Sequence, residues 1–216
     1  MTDDLKLLLD TLYPDELLDG VTILVRGLHI DKSKPIWSRY FASVTRLLAA
    51  RGDLERWAAD NRSVFFGVAL REGRRGDRDH CWGLSALWAD LDASQFFAHD
   101  GDPDRIAVGL SLIDQTLAGF TPAPSIIINS GGGKQAYWLL QEPCPCRKAV
   151  KTDALWGAYV TQVESILTGM QSVLHSDPAR LDFGSLMRLP GFANPKYPHR
   201  PVARIEFLDA TRRYAL

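Results

Sequence analysis

The segment Ala86-Leu-Trp-Ala-Asp-Leu-Asp92 constrains this chain more than any other. Its apolar residues suit a buried strand, and two carboxylates flank Leu91 at its end. Side chains at i and i+2 of a strand leave the same face. Asp90 and Asp92 therefore lie close together and repel each other unless positive charge stands beside them. A divalent cation meets that need, because Mg2+ takes hard oxygen ligands and fills its shell with water and phosphate oxygens. Two such ions can hold the attacking and leaving oxygens of a phosphoryl transfer. The plainer alternative is a strand that ends in a polar turn. Asp-x-Asp alone does not choose between them.

The chain around this segment reads as globular. Of 216 residues, 46% are hydrophobic and 24% charged, which excludes a disordered chain. No apolar run approaches the roughly 20 residues of a membrane-spanning helix. The start, Met1-Thr2-Asp3-Asp4, is acidic and unlike a signal peptide. Three cysteines give no even disulfide set, and Cys144 and Cys146 lack a second pair, so no zinc is expected. A reducing cytoplasm is the expected compartment. The net charge of -1 neither favours nor excludes nucleic acid, since 25 Lys and Arg can gather on one face.

The first 60 residues read as mostly helical. Leu5, Leu8 and Leu9 suit a short amphipathic helix, and Trp37, Phe41, Val44, Leu47 and Leu48 recur at helical spacing. Residues 21–25 read as a strand. Residues 63–70 and 86–91 are further strand candidates. Asp102-Pro103 reads as a helix start, followed by Ile106, Leu110, Ile113 and Leu117. Residues 125–128 and 134–140 read as two strands around a turn. Pro143 and Pro145 mark a loop, and Trp156 to Met170 a long helix. Residues 202–207 read as the last strand. Such alternation, with one evident hairpin, predicts an α+β fold with a mixed or antiparallel sheet.

Two further segments carry chemistry. Asn129-Ser-Gly-Gly-Gly-Lys-Gln-Ala-Tyr-Trp138 is a glycine turn between strands. Glycines let backbone N–H groups approach an anion, Ser130 adds a hydroxyl and Lys134 a charge. It is no Walker A loop, because Gln follows the lysine and a strand follows the turn. A simple hairpin turn explains the glycines equally well. Strand alternation puts Gln135 and Tyr137 on one face and Lys134, Ala136 and Trp138 on the other.

The last segment, residues 175–196, offers Asp177 and Asp182 as acids and Arg180, Arg188 and Lys196 as bases. Asp182 reads as the N-cap of a helix starting at Phe183. Arg188-Leu-Pro-Gly191, followed by Asn194 and Lys196, suits phosphate, or else is a charged surface loop. Arg71, Arg74, Arg75 and Arg78 form a basic stretch that reads either as a grip on template or primer phosphates or as a solvated loop.

Together the three segments resemble the archaeo-eukaryotic primase superfamily, in its primase-polymerase and RepB-like branch from phages and plasmids. Its motifs are a strand ending in Asp-x-Asp, a Ser-Gly-x-Gly turn leading into a strand with Tyr-Trp, and an Asp upstream of Arg-Leu-Pro-Gly…Asn…Lys. The match runs in order from about residue 63 to 208. The resemblance implies a two-lobed core with an RRM-like sheet and flanking helices, forming one catalytic domain over residues 1–216. Residues 1–60 would be its N-terminal part and 61–208 its motif-bearing core.

It further implies that Asp90, Asp92 and Asp177 bind two divalent metals, Mg2+ or Mn2+. Ser130, Gly132, Gly133 and Gln135 would hold nucleotide phosphates, with Arg188 and Lys196 as further contacts. The implied activity is that of a DNA primase and polymerase joining dNTPs or NTPs on a DNA template. A phage- or plasmid-encoded origin and a helicase domain or partner follow from the same resemblance. The chain stops nine residues beyond Phe207, so it is expected to be a piece of, or linked to, something larger.

Two departures stand out. The family usually carries His where this chain has Gln135, and Arg is often found where Ser185 stands. Gln can donate a hydrogen bond but not an imidazolium charge. Three rival readings therefore stay open. They are a catalytically silent single-strand-binding module, a metal-dependent nuclease and a small-molecule nucleotidyltransferase.

Overall fold

The computed structural model describes residues 3–14, 17–144 and 153–216. Pro145 and Cys146 fall outside them. Capping side chains set several helix starts. Asp3 accepts from the Leu5 N–H to open α1 (Asp4–Leu12), and Ser43 accepts from the Arg46 N–H to open α2 (Val44–Ala49). The next helix is α3 (Arg51–Ala59). Asp102 accepts from the Arg105 N–H, with Pro103 in the first turn of α5 (Pro103–Gly119). Short α4 (Ala93–Phe96) precedes it, and α6 spans Asp153–Leu174.

The ten strands are β1 (Val21–His29), β2 (Trp37–Phe41), β3 (Arg62–Gly67), β4 (Leu70–Glu72), β5 (Cys81–Asp92), β6 (Ile126–Asn129), β7 (Gly133–Cys144), β8 (Leu186–Arg188), β9 (Arg204–Leu208) and β10 (Arg213–Tyr214). Their order is β8-β3-β1-β4-β5-β7-β6-β9, with β2 on β1 and β10 on β7. Only β10 pairs in parallel among the described strands. β3 takes the C-terminal half of β1 and β4 its first two residues. Two half-sheets result, β8-β3-β1-β2 and β5-β7-β6-β9, joined through the three residues of β4. The β5–α5–β6–β7 unit, with β7 between β5 and β6, is the RRM-like part of an α+β fold.

The half-sheets meet in the core. Phe66 of β3 stacks on Tyr137 of β7 at 6.5 Å and meets Tyr13 edge-on at 6.3 Å. All three rings are at most 1% exposed. The Tyr13 hydroxyl donates to the Gly67 and Val68 carbonyls where β3 breaks from β4. A buried phenol needs such a partner.

Five expectations require correction. Pro143 does not begin a loop but lies within β7. The first 60 residues hold two strands besides helices. Trp37 to Phe41 is a strand because β1 supplies a ladder from Ile23 to Gly27, and the helical spacing bridges a strand and the helix after Ser43. Residues 63–70 are not one strand, since the ladder breaks at Val68-Ala69. No helix follows Asp182. Residues 186–188 instead pair with β3, and sheet pairing overrides the capping signal. The last strand is β10, not residues 202–207.

Candidate active site

The end of β5 places both carboxylates of the Asp-x-Asp pair on one face. The register sets Trp88 opposite Tyr137, Asp90 opposite Gln135 and Asp92 opposite Gly133. The other face, with Leu87, Ala89 and Leu91, is buried. Asp92 also starts α4, its Oδ1 accepting from the Ser94 N–H at 2.9 Å and hydroxyl at 2.7 Å. Asp177 joins them from the third segment. Its N–H donates to the Asp90 carbonyl at 2.7 Å, which ties this turn to the strand end. Its carboxylate caps a 3-10 turn at Pro178–Arg180. Asp90, Asp92 and Asp177 line one cleft of about 550 Å3.

Charge in this cleft is unevenly compensated. Burial pushes the Asp90 carboxyl up to about 6, with Arg180 opposing and Asp177 and Asp92 adding to the rise. For Asp92, burial acts upward, but hydrogen bonds from Ser94 and the charge of Lys196 outweigh it and hold the carboxyl low. The Arg180 Nε lies 3.7 Å from both Asp90 and Asp177, too far for a hydrogen bond. The Lys196 ammonium is 3.5 Å from Asp92.

The rise at Asp90 has a stability consequence. Folding lifts its pKa from 3.8 to about 6, so the folded chain binds that proton more tightly than the unfolded chain. The stability this supplies is full below about pH 4 and is lost as pH rises through about 6. Asp90→Asn carries no charge at any pH. It is expected to melt above the wild type at about pH 7.5 and level with it near pH 4. Thermal melts at the two pH values check this.

Three glycines are needed here because neighbours press on the turn. A Cβ at Gly132 would overlap the Tyr197 hydroxyl and ring, and one at Gly133 would run into the Leu91 carbonyl. Gly131 holds a φ of +88°. Ser130, Gly132 and Gly133 line the cleft. The Ser130 hydroxyl, however, donates to the Gly133 carbonyl at 3.1 Å, so it closes its own turn. Gln135 faces the cleft and is 2% exposed. Tyr137 donates to its Oε1 at 3.4 Å, leaving the amide nitrogen as a donor.

Lys134 points away from the cleft, as strand alternation requires. It pairs with Asp114 of α5 and, at 2.7 Å, with Glu206 of β9. It therefore cannot replace the charge that Gln135 lacks. Lys134→Met is expected to cost more than the ~0–1 kcal/mol of a surface pair and less than the ~3–5 kcal/mol of a fully buried one, and to leave the nucleotide KM unchanged. Denaturant unfolding and steady-state kinetics measure the two effects.

Arg188 ends β8 and is 8% exposed. Its guanidinium lies 4.9 Å over the Phe65 ring, and its Nη1 is buried without a partner. Burial lowers its pKa to about 10 despite Asp90, which still leaves it charged at neutral pH. A buried donor left without a partner, on a cation lining a cleft, is costly unless an acceptor joins it. Asn194 donates to the Ser130 carbonyl at 3.1 Å and accepts from the Lys196 N–H, so it braces the glycine turn against the third segment. Asp182 does not line the cleft, so of the two acids in this segment only Asp177 reaches it.

The same arrangement of elements occurs in solved structures. The chain matches the AEP domain of the cyanophage S-2L primase-polymerase with a TM-score of 0.66 and 16% identity, covering 99% of this chain and 92% of that one. It matches the catalytic domain of primase RepB′, in complex with initiator DNA, with a TM-score of 0.58 and 15% identity, covering 98% and 88%. The fold is that of a primase-polymerase catalytic domain. No family model and no curated protein sequence matches the chain.

Within this primase-polymerase fold, the basic stretch divides. Arg71 is fully buried, donating to the Ala69 carbonyl at 2.6 Å, so it cannot grip a nucleic acid. Both faces of β4 are covered there, since Leu70 and Arg71 are both buried. Arg78 is tied to Glu164 of α6 by two hydrogen bonds. Arg74 is exposed, and so is Arg75, which meets His80 at 2.8 Å. None of the four lines the carboxylate cleft.

Sequence reasoning missed the opposite wall of that cleft. Leu28, His29, Ile30 and Lys32 come from β1 and the loop after it, and Ser63 and Phe65 from β3. Nothing in the sequence links those residues to the acidic pair, because only the sheet order brings them together. Arg180 was legible as a base but not as the neighbour of Asp90 and Asp177.

The donor chemistry fits a hard divalent cation. Carboxylate oxygens suit Mg2+ or Mn2+. Asp90, whose carboxyl burial pushes up, gains stability from added positive charge. Among the described residues, no group of three His, Cys, Asp or Glu side chains is already drawn into a ligand cluster. The three carboxylates share the cleft without closing on one point.

Proposed function

We propose that this chain is a template-directed nucleotidyltransferase, a DNA primase-polymerase catalytic domain. It would join dNTPs or NTPs on a DNA template with two ions of Mg2+ or Mn2+. The observation that carries this is one cleft holding Asp90, Asp92 and Asp177 together with Arg188, whose buried Nη1 has no hydrogen-bond partner. The fold supports it, since its neighbours are primase-polymerases.

Bound ions would lower the pKa of the attacking 3′-hydroxyl and offset the charge of the triphosphate. Asp90, Asp92 and Asp177 would hold them from a strand end and a turn locked to it. Arg188 gives phosphate a planar donor fork, and Lys196 gives a point charge beside Asp92. Gln135 offers a neutral amide donor, and the backbone of Gly132 and Gly133 allows close approach. Catalysis on this reading is positioning and electrostatic stabilisation.

One solved neighbour is in complex with initiator DNA. DNA template and primer are the partners proposed for this chain, and a helicase and a phage or plasmid setting belong to the same reading. Arg74 and Arg75 are the remaining candidates of the basic stretch for phosphate contact. Their joint replacement by alanine is expected to flatten the salt dependence of DNA binding by about two units of slope. An unchanged slope assigns them to solvent.

The test is primer extension on a labelled primer-template with each nucleotide pool and Mg2+ or Mn2+. Extension that needs nucleotide and metal supports the proposal. Primer shortening without nucleotides points to a nuclease. Single-strand binding with no incorporation points to the silent module, which the missing imidazolium at Gln135 favours.

A further inference from the structure

Tyr197 is 3% exposed although it belongs to a turn-rich segment. Its ring meets two histidines. His99, itself 5% exposed, lies tilted to it at 6.0 Å, and His199 stacks on it at 5.7 Å. Its neighbour Lys196 places its ammonium 5.5 Å from the ring and 3.5 Å from Asp92. The phenol occupies the space a side chain at position 132 would need. Tyr197 and Lys196 also separate the carboxylate cleft from a second cavity of about 450 Å3, since both line each of them.

These contacts define a strut. The phenol end abuts the glycine turn and meets the side chain of Lys196, whose ammonium faces Asp92. We propose that Tyr197 is a positioning residue for the nucleotide, its buried ring setting the spacing between the glycine turn and the Lys196–Asp92 pair. The inference rests on the nucleotide reading of this cleft. It adds that Gly132 is required for complementarity to Tyr197, and that the two positions act as one unit.

Three variants separate this from simple packing. Tyr197→Leu removes the strut, and Gly132→Ala drives a methyl group into it. Each is expected to raise the Kd of a non-hydrolysable deoxynucleoside triphosphate with Mn2+ by roughly tenfold or more, since small misplacements at such sites are costly. In primer extension KM should rise while kcat holds. The Gly132→Ala/Tyr197→Leu protein is expected to bind no more weakly than Gly132→Ala alone, because the overlap is relieved.

Tyr197→Phe keeps the ring and is expected to retain binding, which also decides the matter if Gly132→Ala does not fold. Multiplying effects in the double variant, or an unchanged Kd in Tyr197→Leu, overturns the strut. A wild-type chain that binds no nucleotide overturns the nucleotide reading itself, and the strut with it.

Discussion

Replacing Asp90 and Asp92 together with alanine is expected to lower nucleotide incorporation by roughly a thousandfold or more, because the metal-held charges supply several kcal/mol of the barrier reduction. The fold should survive this change. Losing the Asp92 cap at α4 costs about 1 kcal/mol. Removing the Asp90 charge acts the other way, because burial already pushes that carboxyl up to about 6. The two effects largely cancel, so the melting temperature should stay close to that of the wild type at neutral pH. Incorporation assays beside thermal melts test this. A folded double variant with wild-type incorporation would remove the carboxylates from the mechanism.

Arg188→Met is expected to weaken nucleotide binding without weakening the protein. Hydrogen bonds to charged groups are worth about 1.5–3 kcal/mol, so the nucleotide KM should rise about 10- to 100-fold. A structural arginine would show the opposite pattern. Its buried Nη1 has no partner in the protein, so methionine forfeits the contact with Phe65 but relieves a desolvated charge. Stability should hold or rise. Steady-state kinetics and denaturant unfolding on one preparation give both numbers. A large loss of stability with an unchanged KM would assign Arg188 to the scaffold.

Local signals in the chain were legible where one residue type has one physical meaning. Asp102-Pro103 did start a helix, and the alternation of β7 did send Gln135 and Lys134 to opposite faces. The Asp-x-Asp strand end and the Arg188 segment were read from side-chain chemistry, and both lie on the cleft.

What failed was non-local. Trp37 and Phe41 sat at helical spacing, yet β1 offered a partner that local periodicity does not encode. Asp182 looked like a cap until β3 drew residues 186–188 into its ladder. Arg71 looked exposed because polar residues follow it, but both faces of β4 are covered at Leu70 and Arg71, so it is buried. The wall formed by Leu28, His29 and Phe65 had no signal at all, since sheet order alone carries it to the carboxylates. The glycines were read as room for an anion, and the structure adds a second reason in the ring of Tyr197.

The most direct test of template-directed transfer is single-nucleotide incorporation opposite each of the four templating bases, with one nucleotide supplied at a time. The account predicts that each template base selects its complement in the presence of Mg2+ or Mn2+, and that the Asp90→Ala/Asp92→Ala protein adds nucleotide more slowly by roughly a thousandfold or more. Addition that ignores the template base, or none under any metal and nucleotide, would contradict it.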